Sequence, residues 1–195
     1  MKCLLATIFV ITILPALLLS LDTGSAVENN NKVLQAIDIS TTNSLQAVKV
    51  LKDLVNKNPE WDYPWLVIGD IFDKAYSLSN AIDAFETALK LNLRQQETIL
   101  FTTYNRLGNL YAKKGKIEIS RKYFIKAKKI KGDNQLVSSI KNLENYEEAL
   151  RETNFYKKIR LLDGILIEKP DWIACGLELA SLLEKSGNYG LAKKE

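Results

Sequence analysis

Residues 65–88 read WLVIGDIFDKAYSLSNAIDAFETA, and residues 104–127 read YNRLGNLYAKKGKIEISRKYFIKA. Both stretches place large apolar residues, a glycine, a small residue, a phenylalanine and an alanine at identical internal spacing. The large residues lie three and four positions apart, which puts them on one helix face. The pattern therefore predicts a repeated pair of short amphipathic helices. It is carried by Trp65, Gly69, Phe72, Ala81, Phe85 and Ala88 in the first copy and by Tyr104, Gly108, Tyr111, Ser120, Phe124 and Ala127 in the second.

The two copies resemble the tetratricopeptide repeat, a helix–turn–helix unit of about 34 residues. The resemblance implies an all-α, right-handed solenoid of stacked antiparallel hairpins, with about four to five repeats in this chain. One hairpin cannot bury its apolar face alone, so neighbouring hairpins are expected to stack. In that arrangement Gly69 and Gly108 allow the second helix to approach closely, and Phe85 and Phe124 fill the space between the helices.

Weaker copies of the pattern are expected on both sides of these two. Pro59 and Pro170 stand where such units close, and Lys158 replaces the small residue of the second helix in the fourth unit. The last unit stops inside a predicted second helix, so we expect the chain to be part of a longer array. The predicted units are 28–61, 62–100, 101–138, 139–172 and an incomplete 173–195.

The first 26 residues have the pattern of a secretory signal peptide. Lys2 precedes an apolar run over 3–21, and small residues stand at Gly24 and Ala26. We expect cleavage after Ala26. The alternative is an uncleaved membrane anchor, because 19 apolar residues are just long enough to span a bilayer. Both alternatives place the repeats outside the cytoplasm, in a bacterial periplasm or secreted, or anchored to the inner membrane by residues 3–21.

Composition argues against an enzyme. The chain has a net charge of +4 and no histidine, which removes the commonest general base and metal ligand. It lacks phosphate-binding, nucleophile-elbow and zinc-spacing motifs, so no catalytic residue, cofactor or metal is predicted. Cys3 lies in the leader, and Cys175 is expected to be a small apolar packing residue. An intermolecular disulfide through Cys175 is the alternative.

The resemblance implies that the first helices of successive repeats line a concave groove for an extended peptide or a helix. Side chains spaced along one stripe of these helices are the candidate partner contacts, with amides for a partner backbone and a lysine for a carboxylate. Asp70, Asp73, Glu147 and Glu178 near this groove argue against a clamp for a partner's terminal carboxylate. The candidate residues are Tyr63, Leu66, Asp70, Asp73, Asn105, Asn109 and Lys113.

A second candidate surface is basic. Nine basic residues lie between Lys113 and Lys131, with Glu118 as the one acid among them. Lys122, Lys126 and Lys129 form a stripe opposite the predicted packing face of this helix. They are expected to meet an anionic membrane, an acidic neighbour or only solvent. Nucleic acid is not expected, because the leader directs the chain out of the cytoplasm.

The sequence thus predicts an exported scaffold that binds another protein through its groove. One alternative is an accessory segment of a larger envelope enzyme or secretion machine that continues beyond Glu195. Another is a membrane-anchored protein that binds an acidic partner or anionic lipid through its basic face.

Overall fold

The computed structural model describes residues 27–91 and 96–187, and all regular structure within these ranges is helical. The predicted leader, residues 1–26, and the end of the last predicted unit lie outside the described residues. The helices are α1 (27–40), α2 (Ser44–Lys57), α3 (Tyr63–Lys74), α4 (Leu78–Leu91), α5 (Glu97–Lys113), α6 (Ile117–Ile130), α7 (Asn134–Arg151), α8 (Phe155–Glu168) and α9 (Ile173–Lys185).

The helices pack in sequential pairs. The tightest pairs are α5 with α6 and α3 with α4, and each pair contacts the next through α2 on α3, α4 on α5, α6 on α7 and α8 on α9. In addition, α9 contacts α5, so the later hairpins fold back on the middle of the array. The predicted all-α helical-repeat fold is confirmed.

Close helix approach within the second and third hairpins depends on the two signature glycines. A Cβ atom added to Gly69 would lie 2.8 Å from the ring of Phe85, and one added to Gly108 would lie 2.5 Å from the ring of Phe124. The buried Ser120 donates a hydrogen bond of 2.7 Å to the backbone oxygen of Gly108. A serine is tolerated in this core because its hydroxyl has a partner.

The buried apolar side chains form three clusters that follow one another along the chain. The first joins α1, α2, α3 and α4, the second joins α3, α4 and α5, and the third runs from α5 to α9. Each hairpin therefore buries its apolar surface against its neighbours, as stacked repeats require. Burial is complete or nearly so for Leu51, Ile68, Phe85, Leu107, Phe124, Leu143, Leu162 and Ile165.

The fourth hairpin keeps the arrangement with different residues. Tyr146 lies twelve positions before Lys158, as Gly108 lies twelve before Ser120, and the buried Leu162 takes the place of the phenylalanine. Tyr146 packs on Trp172 with 5.3 Å between ring centroids, and its hydroxyl donates to the backbone oxygen of Ala174. The large side chain thus packs toward the following hairpin, which explains the loss of the glycine signature here.

Two helices begin earlier than the predicted unit boundaries. Helix α5 starts at Glu97, whereas the third unit was expected to start at residue 101. Helix α7 starts at Asn134, whereas the fourth unit was expected to start at residue 139. The reason at α7 is a helix cap, because the Asp133 side chain accepts a hydrogen bond of 2.7 Å from the Leu136 amide.

The turn between α3 and α4 contains a strained residue. Tyr76 has φ of +56°, and the same turn position holds Gly115 (φ +70°) in the third hairpin and Gly187 (φ +81°) after α9. Left-handed backbone costs an L residue about 1–2 kcal/mol, whereas glycine adopts it freely. Tyr76 is 65% exposed, so burial of its ring does little to offset the cost of the left-handed backbone.

We therefore expect Tyr76→Gly to raise the free energy of unfolding by about 0.5–1 kcal/mol, after allowing for the greater freedom of glycine in the unfolded chain. Urea denaturation would measure the change. Tyr76→Ala is the control, because it removes the ring and retains the strained Cβ. A glycine variant less stable than the alanine variant would contradict this account of the turn.

Candidate protein-binding groove

The structure brings the predicted groove residues of α3 and α5 into contact. The side chains of Asp70 and Arg106 form an ion pair of 3.1 Å, and those of Asp73 and Lys113 form one of 2.7 Å. These bonds join the first helices of the second and third hairpins. We call the polar surface that they create the inner stripe; it consists of Asp70, Asp73, Asn105, Arg106, Asn109 and Lys113.

Lys113 has a role different from the one predicted. Its Nζ atom lies 2.7 Å from a carboxylate oxygen of Asp73 and 2.7 Å from one of Asp171, in the loop between α8 and α9. Burial lowers the pKa of Lys113, but the hydrogen bonds that it donates to Asp171 and Asp73, together with their negative charges, outweigh burial and hold the pKa above its ordinary value. The lysine side chain is only 12% exposed. The charge of Lys113 therefore holds α3, α5 and the α8–α9 loop together and is not available to bind a partner's carboxylate.

Asn109 is likewise used within the fold. Its amide nitrogen donates to the backbone oxygen of Asn105 at 2.8 Å and to the Asn105 side chain at 3.1 Å. Its amide oxygen accepts from the Ser139 hydroxyl of α7 at 3.4 Å. Leu66, also predicted to face a partner, is buried in the core at 9% exposure. These residues fix the spacing of α3, α5 and α7. The sequence pattern could not distinguish such a structural role from contact with a partner.

Of the predicted groove residues, Tyr63 and Asp70 remain accessible on α3, and so does Arg106 on α5, the ion-pair partner of Asp70. Tyr63 is 42% exposed, and the side chains of Asp70 and Arg106 are 40% and 47% exposed. Burial raises the pKa of Asp70, while Arg106 and Lys74 act in the opposite direction. Arg106 was missed at the sequence level because it is the immediate neighbour of Asn105, and only the position of α3 shows that it faces Asp70.

The charges of this region nearly cancel. Three carboxylates, those of Asp70, Asp73 and Asp171, meet the two cations Arg106 and Lys113. The other two acids that argued against a carboxylate clamp, Glu147 and Glu178, are also paired. Glu147 binds Arg121 and lies 3.8 Å from Arg151, and Glu178 lies 2.6 Å from Lys158. The surface suits a partner with mixed polar groups better than one of a single charge.

The predicted basic residues Lys122, Lys126 and Lys129 are exposed on α6, a second helix of its hairpin. The Nζ atom of Lys126 lies 5.3 Å from the ring centroids of both Tyr104 and Tyr123, within the range of cation–π attraction. This lysine therefore has a preferred position, while the other two extend into solvent.

A tyrosine pair next to this surface joins α4, α5 and α6. The rings of Tyr111 and Tyr123 stack with centroids 5.6 Å apart, and both hydroxyls donate to Glu86, at 2.9 and 3.4 Å. Burial, together with the bond to Glu86, raises the pKa of Tyr111 to about 12. The phenol consequently stays protonated at neutral pH and keeps its hydrogen bond.

Over residues 27–91 and 96–187, no group of three or more histidine, cysteine, aspartate or glutamate side chains is placed to hold a metal ion. In the same ranges, no helix is both long and apolar enough to cross a membrane. Cys175 is buried, with Sγ 3.5 Å from the backbone oxygen of Leu162, which agrees with a packing role. That the chain is not an enzyme stays a prediction.

Comparison with known proteins identifies the repeat. Residues 101–134 match the family model described as tetratricopeptide repeat. The chain is similar to a solved structure of a MamA RS-1 double mutant, with a TM-score of 0.50 and 15% identity over 84% of this chain and 89% of that one.

Two further solved structures are similar at lower TM-scores. One is MamA from Desulfovibrio magneticus RS-1, at 0.42 and 15% identity over 84% of this chain and 90% of that one. The other is PilW, a widely conserved type IV pilus biogenesis factor, at 0.43 and 20% identity over 84% and 72%. At such identities the first similarity shows a shared fold. The matched third hairpin and the glycine–phenylalanine pairs already described identify tetratricopeptide repeats within this chain.

Proposed function

We propose that the chain is a scaffold, exported from the cytoplasm, that holds another protein against its inner stripe. The observation that carries this proposal is the position of Tyr63, Asp70 and Arg106. All three are partly exposed on first helices, the helices that line the binding groove in the repeat family that this chain resembles. Tyrosine and arginine are both enriched among the residues that contribute most to protein interfaces.

The internal contacts of the inner stripe favour binding by a preformed surface. Lys113 holds α3 and the α8–α9 loop to α5, and Asn109 holds α5 to α7. The backbone under Asp70 and Arg106 is therefore already in place. A partner then loses its own freedom on binding but does not have to order the scaffold, which limits the entropic cost.

The exposed pair also indicates the chemistry of the partner. Asp70 and Arg106 neutralise each other, so a partner of one charge sign gains little from the pair as a whole. A partner segment that carries a basic side chain beside an acidic one offers the base to Asp70 and the acid to Arg106. A segment with a backbone amide beside a carboxylate offers the amide to Asp70 and the carboxylate to Arg106. Tyr63 adds an apolar ring with a hydroxyl, which suits a partner aromatic or aliphatic side chain.

Export rests on the leader. A basic residue at Lys2, an apolar run over 3–21 and small residues at Gly24 and Ala26 are the features of a secretory signal. We place the repeats in the bacterial periplasm or beyond it. Protease accessibility of the native protein in intact and in permeabilised spheroplasts tests this location.

Site-specific photo-crosslinking in cells of the native organism tests the binding surface. Benzoylphenylalanine replaces Tyr63 in one variant and Tyr156 in a matched control. Tyr156 is 77% exposed on α8, so both substitutions are of an accessible tyrosine and differ only in location. We expect a discrete protein adduct from position 63 and none at that mass from position 156. Equal adduct patterns, or protein adducts from position 156 alone, would place the partner elsewhere.

A further inference from the structure

The exposed side of α6 combines lysines with isoleucines. Its buried stripe consists of Ser120, Phe124 and Ala127. On the opposite side, Glu118, Lys122 and Lys129 lie at the centre of the exposed surface, with Ile125 to one side of them and Ile119 to the other. Ile125 is 48% exposed and Ile119 is 39% exposed, so the same surface carries apolar and basic side chains. We call the exposed Ile119, Lys122, Ile125, Lys126, Lys128 and Lys129 the α6 face.

The positive charge of the α6 face is not neutralised by nearby acids. Of the nine basic residues from Lys113 to Lys131, Lys113 and Arg121 form ion pairs with carboxylates in the structure. The Lys114 Nζ atom donates to the hydroxyl of Ser79, and Lys126 lies over two tyrosine rings. In the described part of the chain no ion pair forms at Lys116, Lys122, Lys128, Lys129 or Lys131, and Glu118 is the exposed acid on this helix.

We propose that the α6 face docks on an anionic lipid bilayer, with Ile125 entering between the headgroups and the lysines binding lipid phosphates. Interfacial helices combine apolar side chains with lysines and arginines in this way. Lysine stems lie along the apolar boundary while their ammonium groups reach the phosphate layer. Tyr104 and Tyr123, under Lys126, would then lie near the interface, where amphipathic rings are favourable.

A membrane fits these residues better than an acidic protein does. Protein interfaces concentrate their free energy in buried aromatic or arginine anchors that fill pockets. The α6 face is a single helix surface that carries four lysines and two isoleucines, and no aromatic or arginine side chain belongs to it. Such a surface tolerates the fluid, poorly defined positions of lipid headgroups. It also lies on a second helix, whereas the inner stripe lies on first helices, so lipid docking leaves Tyr63, Asp70 and Arg106 accessible.

Photo-crosslinking to lipid locates the contact even when the apolar leader also binds the bilayer. The full chain, carrying a diazirine amino acid in place of Ile125, is mixed with vesicles of roughly 70% phosphatidylcholine and 30% phosphatidylglycerol or with pure phosphatidylcholine. Leu45, which is 82% exposed on α2, is the control position. We expect lipid adducts from position 125 to be at least about tenfold more abundant with anionic vesicles, and adducts from position 45 to stay low.

Charge removal tests whether the lysines of α6 are responsible. Each basic residue at an anionic surface contributes about a fivefold factor in binding, so Lys122→Gln, Lys128→Gln and Lys129→Gln together are expected to reduce the position-125 adduct by at least about tenfold. The matched control removes the same charge from α2 through Lys49→Gln, Lys52→Gln and Lys57→Gln, all exposed. We expect the control to change the adduct by less than about twofold.

Three results overturn the proposal. The first is no lipid adduct from position 125 with either vesicle, which would leave an acidic protein as the occupant of this face. The second is an equal yield with neutral and anionic vesicles, which would show contact without charge recognition. The third is an equal loss in both lysine triples, which would mean attraction by net charge rather than docking through α6. Thermal unfolding of every variant confirms that these surface changes leave the fold intact.

Discussion

Gly108→Leu is expected to lower the free energy of unfolding by about 3 kcal/mol, the upper part of the range for overpacked cores. Even the first atom of a new side chain at this position would lie 2.5 Å from the ring of Phe124. That ring is only 2% exposed, and the cavity that it lines has a volume of only about 20 Å³, too small to take the displaced ring. Helices α5 and α6 must separate or the ring must leave its position. Urea denaturation followed by circular dichroism measures the loss.

Gly164→Leu is the matched control. Gly164 is also within a helix, α8, but no atom lies within 4 Å of a Cβ added there. Replacing a helical glycine without a steric conflict is expected to stabilise the fold by about 0.5–1 kcal/mol. An unchanged unfolding midpoint for Gly108→Leu, or equal effects at both glycines, would show that the assigned repeat register is wrong.

The fourth hairpin suggests how the steric conflict between a side chain at position 108 and the Phe124 ring is relieved. There a large residue, Tyr146, occupies the glycine position, and Leu162 occupies the phenylalanine position. We therefore expect Phe124→Leu to reduce the cost of Gly108→Ala, with a coupling free energy above about 0.5 kcal/mol in a double-mutant cycle. Strictly additive effects would mean that the two side chains do not compete for the same space.

Lys113→Ala is expected to cost about 2–3 kcal/mol, below the range for a fully buried ion pair because Asp171 is 39% exposed. The substitution leaves the carboxylates of Asp73 and Asp171 facing each other without a cation. It also releases the α8–α9 loop from α5. Lys52→Ala, at an exposed position on α2, is the control and is expected to change stability by less than about 0.5 kcal/mol.

The same cluster makes a signed pH prediction. The folded-state pKa of Lys113 lies above its ordinary value, so its stabilising effect is fully present below the unfolded pKa, about 10.4, and is lost as pH rises through the folded pKa. The stability difference between the native chain and Lys113→Met should therefore be constant from about pH 7 to 9 and shrink above about pH 10.5. A constant difference throughout would contradict the ion-pair assignment.

Neutralising both acids should largely restore the Lys113→Met variant. With Asp73→Asn and Asp171→Asn added, no buried charge is left unpaired, and such replacements are often close to neutral. If the triple variant stays as unstable as Lys113→Met alone, the loss comes from packing of the lysine stem and the two carboxylates are not its cause.

The residues that set the distance between paired helices were predictable from sequence. Gly69 and Phe85, like Gly108 and Phe124, lie in one hairpin, so a fixed spacing along the chain becomes a fixed contact in space. The fourth hairpin was harder to predict because Tyr146 packs toward Trp172 and Ala174 in the following unit. A pattern that depends on the next repeat cannot be seen within one repeat.

For the candidate groove, the helix period predicted which residues share a stripe on each helix: Asp70 and Asp73 on α3, and Asn109 and Lys113 on α5. The structure joins Asp73 to Lys113 across these helices. The helix period could not show that Asp171, in the loop after the next hairpin, reaches back to Lys113, because that contact depends on α9 packing on α5. For the same reason Arg106 emerged as an accessible partner of Asp70 only from the tertiary structure.

The central claim is that the inner stripe binds another protein. Its most direct test is the yield of the protein adduct from benzoylphenylalanine at position 63 in a chain whose Asp70 and Arg106 charges are exchanged. Asp70→Arg with Arg106→Asp keeps the net charge and an ion pair between α3 and α5, while it inverts the order of charges that a partner meets. If the inner stripe binds the partner, the adduct from position 63 should fall at least about tenfold, with the unfolding midpoint little changed. If the charge-swapped chain folds stably and its adduct yield is undiminished, the partner does not bind through Asp70 and Arg106.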